Sequence, residues 1–371
     1  MQPFSKFLRL VCLLSLASAT LSSCQLGRFV FYNFANITDY KIFPSRPLTA
    51  SAQPFRFQTA TTPRAPKKLG PTGKEVPLDQ YLADRETVAF LIIQNDTIQY
   101  EQYFNGYEQS STVASFSMAK SVTSMLIGTA VEDGLIKSVD EPITHYLPEL
   151  KKNGLENVTI RHVLQMTSGI EFNESYVNPF GDAASFYYGR NLRQYVNNMQ
   201  PKAAPGQGFD YISGNTQILG AILDKVVAPK TVTQYLQERI WQHLGMEYDA
   251  SWSLDKKKDG LEKTFCCLNA RARDFAKLGR LYLKQGNWNG RQVVPAQWVK
   301  ESTQVDTSQG SSAGYQYQWW LPSRSGDFMM QGILGQFVYV NPMKNLLIVR
   351  LGKDYGNTNW PRVFTELAAV Y

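Results

Sequence analysis

Apolar and polar positions divide this chain into zones with different periods. Val88 to Gln94 and Ile98 to Phe104 are two runs rich in β-branched and aromatic residues, parted by Asn95-Asp96, and they predict a β-hairpin. An apolar stretch, Val122 to Val131, follows and predicts a buried helix over about 117–133, which Gly134 ends. From about 135 to 270 the pattern is helical with frequent breaks, with helices expected after Thr159, over Leu219 to Val227 and over Val232 to Leu244. Phe172 to Arg190, aromatic and interrupted by glycine, reads as a long loop. Ala270 to Lys284 is amphipathic and predicts another helix, with Asp274 near its start, and Pro295 to Glu301 a short one. The tail then changes period. Tyr315 to Trp320, Asp327 to Gln331, Gln336 to Val340 and Leu346 to Leu351 are strand candidates, and a last helix is expected over about 360–370.

Strands at both ends with helices between them predict an α/β (α+β) fold. Its antiparallel sheet is built from both termini and flanked by helices, and a largely helical insertion sits at about 135–270 of a domain spanning 81–371. Residues 24–80, rich in Pro, Ser, Thr and Ala, are expected to form an extended, partly flexible tether and lead-in lying over the domain. Ahead of them, Lys6 and Arg9 precede an apolar stretch from Leu10 to Ala19 that is too short to span a bilayer, the layout of a secretory signal over 1–23.

Composition narrows the function classes. The formal charge is +7, and the basic residues are scattered instead of forming a stripe, so no nucleic-acid footprint is read. Of the cysteines, Cys12 falls in the leader. Cys266 and Cys267 are neighbours, which rarely bridge, and are expected to be two small buried residues. His145, His162 and His243 lack metal-ligand spacing, so no metal site is expected.

The candidate chemistry lies at Ser117-Met118-Ala119-Lys120. Residues three apart share a helical face, so the Lys120 amine can sit beside the Ser117 hydroxyl. A serine hydroxyl needs a neighbour to take its proton, and a lysine serves only if desolvation or positive potential lowers its pKa. Ser253 and Lys256 repeat the spacing, but within a charged run that reads as a surface segment. The apolar run behind Ser117 is the difference, since it would bury Lys120. In the loop after Phe172, Tyr176, Phe180, Phe186, Tyr187 and Tyr188 either line a pocket or pack the loop down.

Several stretches together resemble the β-lactamase-related serine hydrolases with the penicillin-binding-protein fold. They are Ser117-Met118-Ala119-Lys120, Thr159 to Leu164 continuing to Thr167-Ser168-Gly169-Ile170, Pro205-Gly206 through Tyr211-Ile212-Ser213, and Ala272 to Gly279. That family includes class C β-lactamases, D-alanyl-D-alanine carboxypeptidases, esterases and 6-aminohexanoate-dimer hydrolase. The resemblance implies that Ser117 is the acylated nucleophile and Lys120 its proton acceptor. Tyr211 would be the partner that shares protons with Lys120, its phenol ionising more readily beside an ammonium. It further implies an oxyanion hole from the backbone N–H groups of Ser117 and Ile333 and substrate contacts at Ser213 and Gly332; Tyr187, from the aromatic loop, is a candidate substrate contact, and Asp182 either meets a substrate amine or is a surface acid. Leu21-Ser22-Ser23-Cys24 looks like a bacterial lipobox, which would make Cys24 an acylated anchor and place the enzyme in the bacterial cell envelope; a plain secreted protein is the competing reading.

Two departures qualify the resemblance. Ser213 stands where many members carry asparagine, and Met330-Gln331-Gly332 lacks the cation of the third motif. That cation helps bind an anionic substrate, so its loss points to an uncharged ester or amide. The expected activity is therefore ester or amide hydrolysis through an acyl-enzyme on a small-molecule or short-peptide substrate, with no cofactor. A D,D-peptidase or β-lactamase is one alternative, and an inactive envelope binding module another.

Overall fold

The computed structural model describes residues 27, 28, 32, 34–70 and 73–371. The leader and Cys24 lie outside them. An eight-stranded sheet runs in the order Tyr315–Gln316, Trp319–Trp320, Phe328–Gly332, Gln336–Asn341, Leu346–Gly352, Thr87–Gln94, Thr97–Tyr103, Gln58–Thr59. All neighbours are antiparallel except the last pair. The strand from the front of the domain, Thr87–Gln94, thus lies against Leu346–Gly352 from its end, and the sheet is built from both termini. The turn between Thr87–Gln94 and Thr97–Tyr103 is made by Asn95 and Asp96, both at positive φ (53° and 60°), the geometry of a tight hairpin.

Side chains alternate across this sheet with the period of two that strands impose. Leu91, Ile93, Val338, Val340, Leu347 and Val349 face one core. Phe90, Ile92, Phe337, Tyr339, Leu346 and Ile348 face the other, where helices Leu78–Ala83 and Trp360–Ala368 cover them through Leu82, Trp360 and Phe364. Because both faces are covered, the central strands read as unbroken apolar runs. The first core holds the helix Met118–Glu132, buried nearly throughout, and the helical insertion packed beyond it.

A second, four-stranded sheet joins Ser45–Leu48, Ala250–Ser253, Leu268–Ala270 and Val113–Ala114 in that order. It ties the stretch read as a lead-in to the domain, with Arg46 paired to the buried Glu262 at 2.8 Å. This sheet matters for the site because Val113–Ala114 leads directly into Ser115-Phe116-Ser117.

Two expectations are corrected. The stretch after Phe172 is a loop only as far as Gly181, and Asp182–Tyr188 is a helix whose carbonyls at Phe186 and Tyr187 are capped by the buried Lys263 amine, 2.9 Å from each. Cys266 and Cys267 are buried but not free: they are bonded to each other, at a turn where Cys267 has φ 72°.

Candidate active site

Ser117 sits at the N-cap of Met118–Glu132, so the positive end of the helix faces it. The preceding turn is held hard. Ser115 N–H donates to Leu268 O at 2.9 Å, and the buried Phe116 adopts φ 44°, a left-handed conformation uncommon for an aromatic residue. The end of strand Phe328–Gly332 presses on this turn. A Cβ at Gly332 would lie 2.5 Å from Ser115 O and 3.1 Å from Ser117 N, so only glycine permits the approach. Ile333 follows immediately and opens a short turn, Ile333–Gly335.

Lys120 is buried and its amine donates to Ser117 Oγ at 3.0 Å, Ser213 Oγ at 3.1 Å and Phe265 O at 2.9 Å. Those acceptors account for all three N–H bonds of an ammonium. Burial pushes its pKa down to about 8, with the Glu174 carboxylate acting in the opposite direction.

Ser213, the first residue of helix Ser213–Val226, is itself oriented by Glu174. Its N–H donates to Glu174 Oε2 at 2.7 Å and its hydroxyl to Oε1 at 2.6 Å. The Ser213 proton is thus committed to the carboxylate, and its oxygen can only accept from Lys120. Phe265 O can also only accept. When Lys120 loses a proton, both remaining N–H bonds stay on these two acceptors and the lone pair faces Ser117 Oγ. Glu174 also accepts from Tyr176 OH at 2.6 Å. Sequence reasoning missed Glu174, because a single acid in a polar loop carries no periodic or motif signal.

The Tyr211 phenol lies near Ser117, whose hydroxyl counters part of the rise in its pKa, and its ring lies 5.2 Å from the Lys120 amine, packed against Tyr315 and Trp320. Ser117, Lys120, Tyr211 and Ser213 therefore meet at one point. The expectation that a neighbouring ammonium would help the phenol ionise is reversed. Burial dominates and raises its pKa, so Tyr211 rests as a neutral proton donor.

A cavity of about 340 Å³ adjoins Ser117; Tyr187 and Ile333 line it, along with Phe34 and Ala35 from the N-terminal arm. Asp182 does not reach it. That carboxylate accepts from Asn173 N at 2.8 Å and faces a separate cleft lined also by Glu171, Lys202 and Asp210. The other Ser-x-x-Lys holds no comparable arrangement: Ser253 lies on a strand with its Oγ accepting from Asn269. Among the described residues, no group of three His, Cys, Asp or Glu side chains could hold a metal ion.

The chain is a serine hydrolase of the β-lactamase type. The chain belongs to the Beta-lactamase family, whose model matches residues 78–363. It is 26% identical over 337 residues to the 6-aminohexanoate-dimer hydrolase of Paenarthrobacter ureafaciens, covering 85% of this chain and 83% of that protein. A solved structure from Bacillus anthracis, provisionally described as a 6-aminohexanoate-dimer hydrolase, superposes with a TM-score of 0.80 at 26% identity, over 90% of this chain and 92% of that one. At the level of fold alone, a penicillin-binding protein from Bacillus halodurans superposes with a TM-score of 0.63 at 18% identity, over 79% and 100% of the two chains.

Proposed function

We propose that this hydrolase cleaves an uncharged ester or amide through an acyl-enzyme on Ser117. The observation that carries the reading is the buried Lys120 amine, its pKa lowered to about 8, held 3.0 Å from Ser117 Oγ. Neutral Lys120 takes the Ser117 proton as Oγ attacks the substrate carbonyl carbon. The N–H groups of Ser117 and Ile333 receive the oxyanion, with the helix N-terminus adding positive potential. Collapse of the tetrahedral intermediate breaks the ester or amide bond, and Tyr211 protonates the leaving oxygen or nitrogen, regaining its proton from Lys120. Water, deprotonated by the same pair, then attacks the acyl-enzyme and frees Ser117.

Gln331 supports the uncharged substrate. It stands on the strand beside the site, where a lysine or histidine would hold an anionic group, and offers only an amide. This disfavours the D,D-peptidase and β-lactamase alternative. The network around Lys120, complete down to its last N–H, disfavours an inactive binding module. A relative named for hydrolysis of the 6-aminohexanoate dimer supports an amide as well as an ester as the bond cleaved. Acylation of Cys24 would tether the enzyme to a membrane of the bacterial envelope. Labelling by a fluorophosphonate and hydrolysis of p-nitrophenyl acetate, both abolished in Ser117→Ala, test the catalytic reading. Wild-type protein that neither labels nor turns over would overturn it.

A further inference from the structure

We propose that the cavity beside Ser117 is an acyl pocket for an uncharged, apolar acyl group and rejects acyl groups that end in an ammonium or a carboxylate. The inference rests on the acyl-enzyme reading above. At about 340 Å³ the cavity is at the small end for ligand sites, suited to half of a substrate and not to a large whole one. It starts at Ser117, and its walls include Phe116, Ala183, Ala184, Phe265 and Leu334. Among the described residues, no Asp, Glu, Lys or Arg side chain lines it.

Three of the tyrosine hydroxyls on its walls are engaged elsewhere. Tyr187 OH donates to Asp39 Oδ2 at 2.8 Å, Tyr355 OH to Gly332 O at 3.3 Å, and Tyr176 OH to Glu174. Lys263 turns its amine onto the carbonyls of Phe186 and Tyr187. Asp182, the acid a substrate amine would need, stands at the opposite end of that helix and in another cleft. A terminal charge on the acyl group would therefore lose its hydration and meet no side chain of opposite charge. A methylene chain would meet only apolar surface.

The test is a series of p-nitrophenyl esters with acetyl, butyryl and hexanoyl groups, beside 6-aminohexanoyl and adipoyl (half-ester) analogues. On wild-type enzyme, kcat/KM is expected to rise about fourfold per added methylene until the cavity is full. Both charged analogues are expected to fall at least about thirtyfold below the hexanoyl ester. Ala184→Leu, which narrows the pocket, is expected to lower the ratio of hexanoyl to acetyl kcat/KM. Equal rates for charged and uncharged acyl groups would overturn the proposal, as would a flat chain-length series. Either result leaves the hydrolase reading standing. Absence of turnover for every ester, with no fluorophosphonate label on Ser117, would overturn that reading and this inference with it.

Discussion

At the scale of single residues, Lys120 sets the pH dependence. On the proposed mechanism its neutral form is the base, and its pKa is lowered to about 8. Below that value the amine is protonated and cannot accept from Ser117, so kcat/KM is expected to fall about tenfold per pH unit on the acid side and to level off above about 8. Burial raises the Tyr211 pKa, so no opposing limb is expected until strongly alkaline pH. A pH–rate profile on p-nitrophenyl butyrate checks this; a bell centred near neutrality would contradict it. Glu174 acts one step back, as a positioning residue. Glu174→Gln keeps the shape but removes the charge and one of two acceptors. With Ser213 free to rotate, kcat is expected to fall about ten- to a hundredfold. The acid limb is expected to move to lower pH, because the carboxylate raises the Lys120 pKa in the wild type. A residue that served stability alone would lower the denaturation midpoint and leave the limb in place.

At the scale of elements, the reactive geometry is a contact between the Ser115–Ser117 turn and the end of strand Phe328–Gly332. Gly332→Ala would drive a methyl into Ser115 O, so the strand end and Ile333 must withdraw. A shift of about 1 Å in the oxyanion donors is expected to cost about a hundredfold in kcat, with the circular dichroism spectrum unchanged. The other support of the Ile333 turn is Arg350, fully buried on Leu346–Gly352. Its guanidinium donates to Gly335 O and Arg85 O at 2.6 Å, to Asp354 O at 2.9 Å and to Thr87 Oγ1 at 3.1 Å, and it stacks on Trp360. Arg350→Met leaves those acceptors buried and unmatched, and urea unfolding is expected to show a loss of about 3 kcal/mol or more. The hairpin at 87–103 and the helix behind Ser117 were legible because their signals are local: turn residues in one case, an unbroken apolar run in the other. The sheet that includes Val113–Ala114 was not legible, since strands of two to four residues carry no period. Asp182–Tyr188 was missed for a similar reason. It is one short helix with no side-chain N-cap, and Lys263, seventy-five positions past its end at Tyr188, caps its carbonyls.

At the scale of the whole molecule, the site is assembled from distant segments, and this limits what sequence can show. Ser117 and Lys120 share one helical turn and were readable from spacing; Tyr211 came through resemblance. Phe265 O and Glu174, which fix the amine, come from loops whose approach depends on the packed insertion. Holding two lysines in that interior has a thermodynamic consequence. Burial lowers Lys120 to about 8 and Lys263 to about 7, from an unfolded value of 10.5. Between about pH 7 and 10.5 the unfolded chain carries protons on these groups that the folded chain has released. These two groups therefore make stability rise with pH across that window. Tyrosines whose pKa desolvation raises act in the opposite sense above their ordinary value of 10.0, because Tyr103, Tyr187 and Tyr211 keep protons that the unfolded chain loses. The two effects oppose each other, so stability is expected to peak on the alkaline side of neutrality. Denaturation midpoints measured from about pH 6.5 to 10.5 are expected to climb and then turn over. Lys263→Met, which removes one titrating amine without touching the catalytic centre, is expected to flatten the climb; an unchanged slope would mean that this amine reaches water in the folded protein.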